Sequence, residues 1–202
     1  MIFRLIIVRH GESYGNLKRI YQGSIDKYGL TEKGKKQSYF IGERIKKYKP
    51  SIVISSPLKR AYETANCILE ILPKAKTYYI SKLVKELNLG KLEGKNKDYV
   101  KRRYKDEFEI LKKNDYDYSI FCGETLMSSK RRAKEVIKQL SSLDGETALI
   151  ITHGGFMRIL LDELLDNDIK EYSCKNGCIY ILERNNHKYE LLKQNIWGRG
   201  VW

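Results

Sequence analysis

Hydrophobic residues along this chain form short apolar runs that alternate with segments of helical period. The runs 2–8, 51–55 and 147–152 are rich in Ile, Leu and Val, and each ends at polar residues, as buried strands do. Further strands are predicted at 77–80, 178–183 and 189–193, the last two joined by a hairpin turn at 185–187. Apolar residues at every third or fourth position predict helices over 30–48, 58–72, 95–113, 124–140 and 156–165.

The order of these elements predicts the fold class. Strands and helices alternate, which indicates an α/β protein with three layers: a largely parallel central sheet with helices on both faces. Thr31 is a suitable N-cap for the first helix, and Pro57 marks the start of the second. No repeat, low-complexity tract or linker divides the chain, so we expect one domain over 1–202.

Composition supports a soluble globular protein with an anionic partner. Hydrophobic residues make up 42% of the 202 residues, too many for a disordered basic tail, and the absence of a long apolar run predicts no membrane span. The 39 Lys and Arg exceed the 25 Asp and Glu by 14, and 1–60 carries 14 of the basic residues against four acids. Lysine-rich helices are most often solvated surfaces, so a functional role must rest on particular arginines.

The cysteines predict a reducing environment and no metal. Cys67, Cys122, Cys174 and Cys178 are scattered, and the N-terminus lacks a secretory signal, so we expect reduced thiols in a cytoplasmic protein. Cys174 and Cys178 have no second Cys or His pair nearby, which disfavours a zinc site.

Basic side chains follow three of the predicted strands. Arg9 and His10 follow the first, Arg60 comes shortly after the second, and His153 follows the run 147–152. Ligands of a parallel sheet bind at the carboxyl ends of its strands, so we expect these four side chains at one edge. Arginine matches phosphate oxygens with a planar fork, and a neutral imidazole can attack phosphorus. The cluster therefore suits phosphoryl transfer, for which the residues alone do not choose a proton donor.

The motifs around these residues resemble those of the histidine phosphatase superfamily, in its phosphoglycerate mutase-like branch. The similarity covers Arg9 to about Ile181 in the family's order and includes RHGESYGN at 9–16, YQG at 21–23, LTEKG at 30–34, SSPLKRA at 55–61, ETA at 63–65, GET at 123–125 and THGG at 152–155.

This resemblance implies a phosphoglycerate mutase-like fold and a metal-independent phosphoric monoester hydrolase without a cofactor. His10 would be the nucleophile that forms a phosphohistidine, and Glu86 would donate a proton to the leaving group. Glu93 is the alternative donor, which we interpret as a structural acid. The implied phosphate-binding residues are Arg9, Arg60, His153, Asn16, Gly23 and Gly154.

The sequence fits three functions to different degrees. Only 36 residues, none of them proline, separate Glu86 from Gly123, and this small cap segment, about 90–122, is shorter than the cap of the family's mutases. It favours hydrolysis of a small phosphorylated metabolite, with phosphoglycerate mutase-type transfer as the alternative. A non-catalytic basic anion- or RNA-binding regulator is the third, and it is disfavoured because aromatic and basic residues do not interleave as they do in RNA-binding strands.

The sequence leaves the substrate open. A phosphorylated sugar, a phosphoglycerate, a ribazole phosphate and a nucleotide fit about equally, and nothing in the pattern indicates an oligomeric state. We interpret His187 as a surface residue. The role of Trp197 and Trp202 stays open between stacking on a substrate ring and packing in the core or at an edge, which is the more common role. The residues expected to border the pocket are Lys97, Arg102, Arg103, Tyr116, Tyr118 and Phe121.

Overall fold

The computed structural model of the chain describes residues 2–72, 75, 77–166, 172, 174–186 and 188–194. Its strands are β1 (Arg4–Arg9), β2 (Ile52–Ser55), β3 (Thr77–Ile80), β4 (Thr147–Thr152), β5 (Ile179–Asn185) and β6 (Lys188–Gln194). Its α-helices are α1 (Tyr14–Leu17), α2 (Glu32–Ile45), α3 (Lys59–Ile71), α4 (Lys97–Arg103), α5 (Lys105–Lys113), α6 (Leu126–Ser142) and α7 (Gly154–Leu165). Short 3-10 helices lie at Lys46–Tyr48, Lys82–Val84, Gly90–Leu92 and Tyr118–Phe121. The predicted strands are confirmed, while His187, Trp197 and Trp202 lie outside the described residues.

The strands form one sheet in the order β3-β2-β4-β1-β5-β6. The first four of these are parallel to one another, and β5 and β6 are antiparallel additions. Strand β4 lies between β2 and β1, with Thr152 paired to Arg9 and Ile151 paired to Ser55. The carboxyl ends of β1, β2 and β4 therefore meet at one edge of the sheet.

Helices cover both faces, which confirms the predicted three-layer α/β fold. Because successive strand residues face opposite sides, β1 contributes to two hydrophobic cores. Leu5 and Ile7 pack in a core with α6, α7 and the segment 97–121, whereas Ile6 and Val8 pack in a core with α2 and α3. No helix within the described part of the chain is long and apolar enough to cross a bilayer.

The segment 95–113 differs from the prediction of one continuous helix. Helices α4 and α5 meet at Tyr104, whose φ of −125° and ψ of 43° leave the helical region. The Tyr104 ring packs edge-on against the Phe121 ring, with 5.6 Å between the two centroids. The Phe108 ring also contacts Phe121, with 6.2 Å between their centroids. The single-helix expectation was wrong because packing around Phe121 bends the chain, and the apolar period does not encode this bend.

Candidate active site

The loop after β1 holds the proposed nucleophile in place through its backbone. The His10 N–H donates to the Thr152 carbonyl over 3.0 Å, and the Gly177 N–H donates to the His10 carbonyl over 3.0 Å. The Gly11 N–H donates to Thr64 Oγ1 over 3.1 Å. These bonds join His10 to β4, to the loop before β5 and to α3, so its backbone is fixed from three sides.

The His10 ring has a defined tautomer. Its side chain is buried, and Nδ1 lies 2.7 Å from the Gly11 carbonyl oxygen. Since a carbonyl only accepts, the proton is on Nδ1 and the Nε2 lone pair is free. Burial, then the charges of Arg60 and Arg9, hold the His10 pKa well below 6.5, against the Gly11 hydrogen bond, which raises it. His10 is therefore neutral at neutral pH, as a nucleophile at phosphorus must be.

His153 lies beside His10 at the end of β4. The two ring centroids are 5.1 Å apart, and His153 Nε2 is 2.8 Å from Ser56 Oγ. When the Ser56 hydroxyl donates to Nε2, the ring proton is on Nδ1, which is buried and has no hydrogen-bond partner among the described residues. Burial, then the charge of Arg60, lower the His153 pKa well below 6.5. Sequence reasoning did not assign Ser56 a role, although it directly follows β2.

Two arginines complete the cluster. Arg60, at the start of α3, is 1% exposed and donates through Nη2 to the Gly23 carbonyl over 2.7 Å and through Nη1 to the Ile25 carbonyl over 3.0 Å. Arg9 donates through Nη1 to the Cys174 carbonyl. Burial, then Arg9, lower the Arg60 pKa to about 10, while Glu86 opposes the shift, so Arg60 stays charged at neutral pH.

Three buried donors of this cluster lack partners within the described part of the chain: Arg9 Nε, Arg60 Nε and His153 Nδ1. Buried donors without partners are rare in folded proteins, and each costs free energy. All three belong to residues that interact electrostatically with one another and with His10. This arrangement can bind the oxygens of an anion beside the His10 ring.

Glu86 reaches the same edge from the loop after β3. Its Oε1 accepts from Phe156 N over 2.9 Å and from Leu87 N over 3.0 Å, and its Oε2 accepts from Gly155 N over 3.2 Å. A Cβ at position 155 would lie 2.7 Å from Oε1, so the carboxylate approaches α7 this closely only because residue 155 is glycine. Glu86 also interacts electrostatically with Arg60.

Glu93, the alternative donor, lies in a different environment. Its Oε1 accepts from Ser24 N over 2.8 Å and from Leu89 N over 3.0 Å. The backbone at Gly23 has a φ of 48°, and a Cβ there would collide with Glu93 Oε1. Glu93 therefore stabilises the loop whose Gly23 carbonyl accepts from Arg60, which supports its interpretation as a structural acid.

The auxiliary residues have unequal geometry. Asn16 Oδ1 accepts from Ser13 N over 3.1 Å and from Asn176 Nδ2 over 2.9 Å, which leaves the Asn16 Nδ2 group to donate elsewhere. Gly154 is the first residue of α7 and lies beside the Arg9 guanidinium. The Gly23 carbonyl accepts from Arg60 Nη2. The phosphate-binding roles of these three residues stay predictions.

A cationic cleft of about 370 Å³ opens next to Arg9. Its lining residues are Arg9, Asn16, Arg19, Lys97, Arg158, Cys174, Lys175 and Asn176. None of them is acidic, although Arg19 pairs with the exposed Asp98 at 2.7 Å. Burial, then Arg9 and Arg19, lower the Lys97 pKa. Of the residues expected to border the pocket, Lys97 lines this cleft, whereas Phe121 is in the hydrophobic core.

No group of three or more His, Cys, Asp or Glu side chains that could hold a metal ion occurs among the residues described. All four cysteines are free thiols.

The two buried histidines predict a pH-dependent stability. Below pH 6.5 the unfolded chain protonates both imidazoles while folded His10 and His153 stay neutral, so the free energy of unfolding should fall as the pH falls. Each histidine contributes about 1.4 kcal/mol per pH unit between 6.5 and its folded-state pKa. His10→Asn should remove one of the two contributions. Urea unfolding of both proteins at about pH 7.5 and 5.5 measures this, and an identical pH dependence would contradict the depressed pKa of His10.

The chain is similar to known proteins in both sequence and fold. The profile described as histidine phosphatase superfamily (branch 1) matches residues 5–196. The chain is 29% identical over 199 residues to phosphoserine phosphatase 1 of Hydrogenobacter thermophilus, covering 96% of this chain and 92% of that protein. It is 32% identical over 205 residues to a 2,3-bisphosphoglycerate-dependent phosphoglycerate mutase of Chelativorans sp., covering 96% and 98%. The solved structure of Bacillus stearothermophilus YhfR superposes with a TM-score of 0.83 at 27% identity, covering 94% of this chain and 95% of that one.

Proposed function

We propose, because this chain belongs to branch 1 of the histidine phosphatase superfamily, that it hydrolyses a small phosphomonoester through a phosphohistidine on His10. The observation that carries the proposal is the position of a neutral imidazole beside three buried donors that have no partner among the described residues, Arg9 Nε, Arg60 Nε and His153 Nδ1. These donors would bind the equatorial phosphoryl oxygens and stabilise their charge in the transition state.

In the first step, His10 Nε2 forms a bond to phosphorus while the bond from phosphorus to the ester oxygen breaks. The proton held by Glu86 goes to the departing oxygen, which leaves as a neutral alcohol. In the second step, Glu86 takes a proton from water, the water oxygen bonds to phosphorus, and the bond to Nε2 breaks. The products are inorganic phosphate and the free imidazole, so Glu86 ends protonated as it began.

Hydrolysis and mutase-type transfer share this pocket, and cap length alone does not separate them, because the chain spans 98% of a mutase relative. The cap arginines favour hydrolysis, because the mutases of this family resemble one another in a cap that carries paired arginines. Here Arg102 and Arg103 are exposed, Arg103 lies over the Tyr104 ring, and neither lines the cationic cleft. Phosphate released from a panel of phosphomonoesters, compared with phosphoglycerate isomerisation in a coupled assay, tests this choice. Isomerisation well above hydrolysis would overturn it.

The cationic cleft favours substrates with a second anionic group. Arg9 and Arg60 suffice for a phosphoryl dianion, so Lys97, Arg158 and Lys175 are additional charge. Arg19 also lines the cleft, but its charge is paired with Asp98. The names of two similar proteins contain phosphoserine and phosphoglycerate, and both compounds carry a carboxylate. We propose a phosphorylated carboxylic acid as the substrate class to test first. A non-catalytic anion- or RNA-binding regulator is not favoured, because each predicted catalytic position carries the residue type that the reaction needs.

Lys175→Ala should lower kcat/KM for 3-phosphoglycerate by about 10-fold while changing that for glycerol phosphate by less than about 3-fold, because only the former has a carboxylate to lose a charged contact. Lys138→Ala, an exposed change on α6 away from the cleft, is the matched control. Equal effects on both substrates would exclude Lys175 as a carboxylate contact.

We also propose that 90–122 is a cap of the same domain over 1–202. Val100, Leu111 and Phe121 of this segment pack in one core with residues of β1 and α7, which supports a single unit. The cytoplasmic location stays a proposal that the four free thiols support.

A further inference from the structure

Arg132, on α6, makes contacts that the proposed chemistry does not use. Its Nε donates to Glu124 Oε1 over 3.1 Å and its Nη2 to Glu124 Oε2 over 2.8 Å, a two-pronged ion pair. Its Nη1 donates to the carbonyls of Leu83 and Lys85 over 2.9 and 2.7 Å. Four of the five N–H groups of this guanidinium are thus engaged.

These contacts surround the loop that carries Glu86. The Leu83 and Lys85 carbonyls lie three residues and one residue before Glu86. Two residues after Glu86, the Asn88 N–H donates to Glu124 Oε2 over 3.3 Å. The Glu124 N–H in turn donates to the Asn88 carbonyl over 2.8 Å. The pair of Arg132 and Glu124 therefore holds the loop both before and after Glu86.

Arg132 also contacts the residue that anchors the Glu86 carboxylate. Its guanidinium carbon lies 4.1 Å from the centroid of the Phe156 ring, a cation–π contact. The N–H of the same Phe156 donates to Glu86 Oε1 over 2.9 Å. One side chain thus links the backbone that carries Glu86 to the start of α7 that orients it.

We propose that Arg132 is a positioning residue for proton transfer by Glu86. It fixes the Glu86 carboxyl group relative to the leaving-group oxygen, since general acids lose efficiency when displaced by about 0.5 Å. This inference rests on the proposed role of Glu86. Lysine at 132 would retain the charge but not the fork that binds Glu124 and two carbonyls together.

The test is the leaving-group dependence of Arg132→Lys. An alkyl alcohol requires the proton from Glu86, whereas p-nitrophenolate leaves almost as well without it. The rate to be measured is that of phosphohistidine formation in a single turnover, by rapid quench, with glycerol phosphate and with p-nitrophenyl phosphate. The expected loss is about 10- to 100-fold with the alkyl ester and under about 3-fold with the aryl ester. Arg131→Lys, an exposed neighbour on α6, should leave both rates unchanged.

Equal losses with the two esters, or no loss, would overturn the inference, because a merely structural role affects both alike. If Arg132→Lys does not fold, Glu124→Gln weakens the same ion pair. It should also slow the alkyl ester more than the aryl ester, by a smaller factor. Glu86→Gln distinguishes failure of the positioning role of Arg132 from failure of the proton-donor role of Glu86. If it is leaving-group selective and Arg132→Lys is not, only the positioning role fails; if neither is selective, the proposed role of Glu86 fails as well.

Discussion

Replacing His10 by alanine should lower turnover of every phosphomonoester by at least about 10⁴-fold, because the neighbouring neutral imidazole, His153, has its Nε2 in a hydrogen bond with Ser56 and does not replace His10 as the nucleophile. The Nδ1 proton is held by the Gly11 carbonyl and burial keeps the ring neutral, so Nε2 needs no general base. A substitution that removes this nitrogen removes the covalent route altogether.

The loss must come from chemistry and not from a damaged pocket. His10→Ala should therefore still bind inorganic phosphate, because Arg9, Arg60 and His153 keep their contacts with the backbone and with Ser56. Phosphate binding is measured by calorimetry and folding by the Tm. Turnover of the purified variant within 10-fold of the parent protein would exclude His10 as the nucleophile.

Glu86→Gln should produce a large loss that depends on the leaving group. With an alkyl phosphate, kcat should fall by about 10²- to 10⁴-fold, the usual contribution of a general acid. With p-nitrophenyl phosphate, formation of the phosphohistidine should fall far less, since the phenolate leaves without a proton. Glutamine preserves the shape of the side chain, so with its carbonyl oxygen in place of Oε1 the hydrogen bonds from the Phe156 and Leu87 N–H groups can persist. The amide nitrogen in place of Oε2 no longer accepts from the Gly155 N–H.

Glu93→Gln is the matched control, because Glu93 is the nearest alternative donor in sequence. Its carboxylate accepts from the backbone of Ser24 and Leu89, so the variant should lose stability, with similar effects on alkyl and aryl esters. The opposite pattern, selectivity in Glu93→Gln and none in Glu86→Gln, would reverse the assignment of the proton donor.

The centre of this site could be predicted from the sequence, because ligands of a parallel sheet bind at the carboxyl ends of its strands. Arg9 ends β1, His10 directly follows it and His153 directly follows β4, and the register of the parallel sheet brings those strand ends together. This works because apolar strand periodicity is local and the meeting of parallel strand ends follows from topology. The resemblance added Glu86, which periodicity could not select from the many later acids.

The supporting contacts could not be predicted because they join distant parts of the chain. Ser56 binds a histidine 97 positions away, and Arg132 binds carbonyls 47 and 49 positions away. Whether such partners meet depends on how the layers pack, which hydrophobic period does not encode. The bend at Tyr104 has the same origin, since an aromatic contact with Phe121 overrides helical propensity.

The most direct measurement is the identity of the phosphorylated residue. The protein is mixed with a ³²P-labelled phosphomonoester, quenched under alkaline conditions that preserve phosphohistidine, digested and mapped. We expect an acid-labile label on the peptide containing His10, absent from His10→Ala and lost on the timescale of turnover. A label on another residue, or turnover without any labelled protein in a rapid quench, would contradict it.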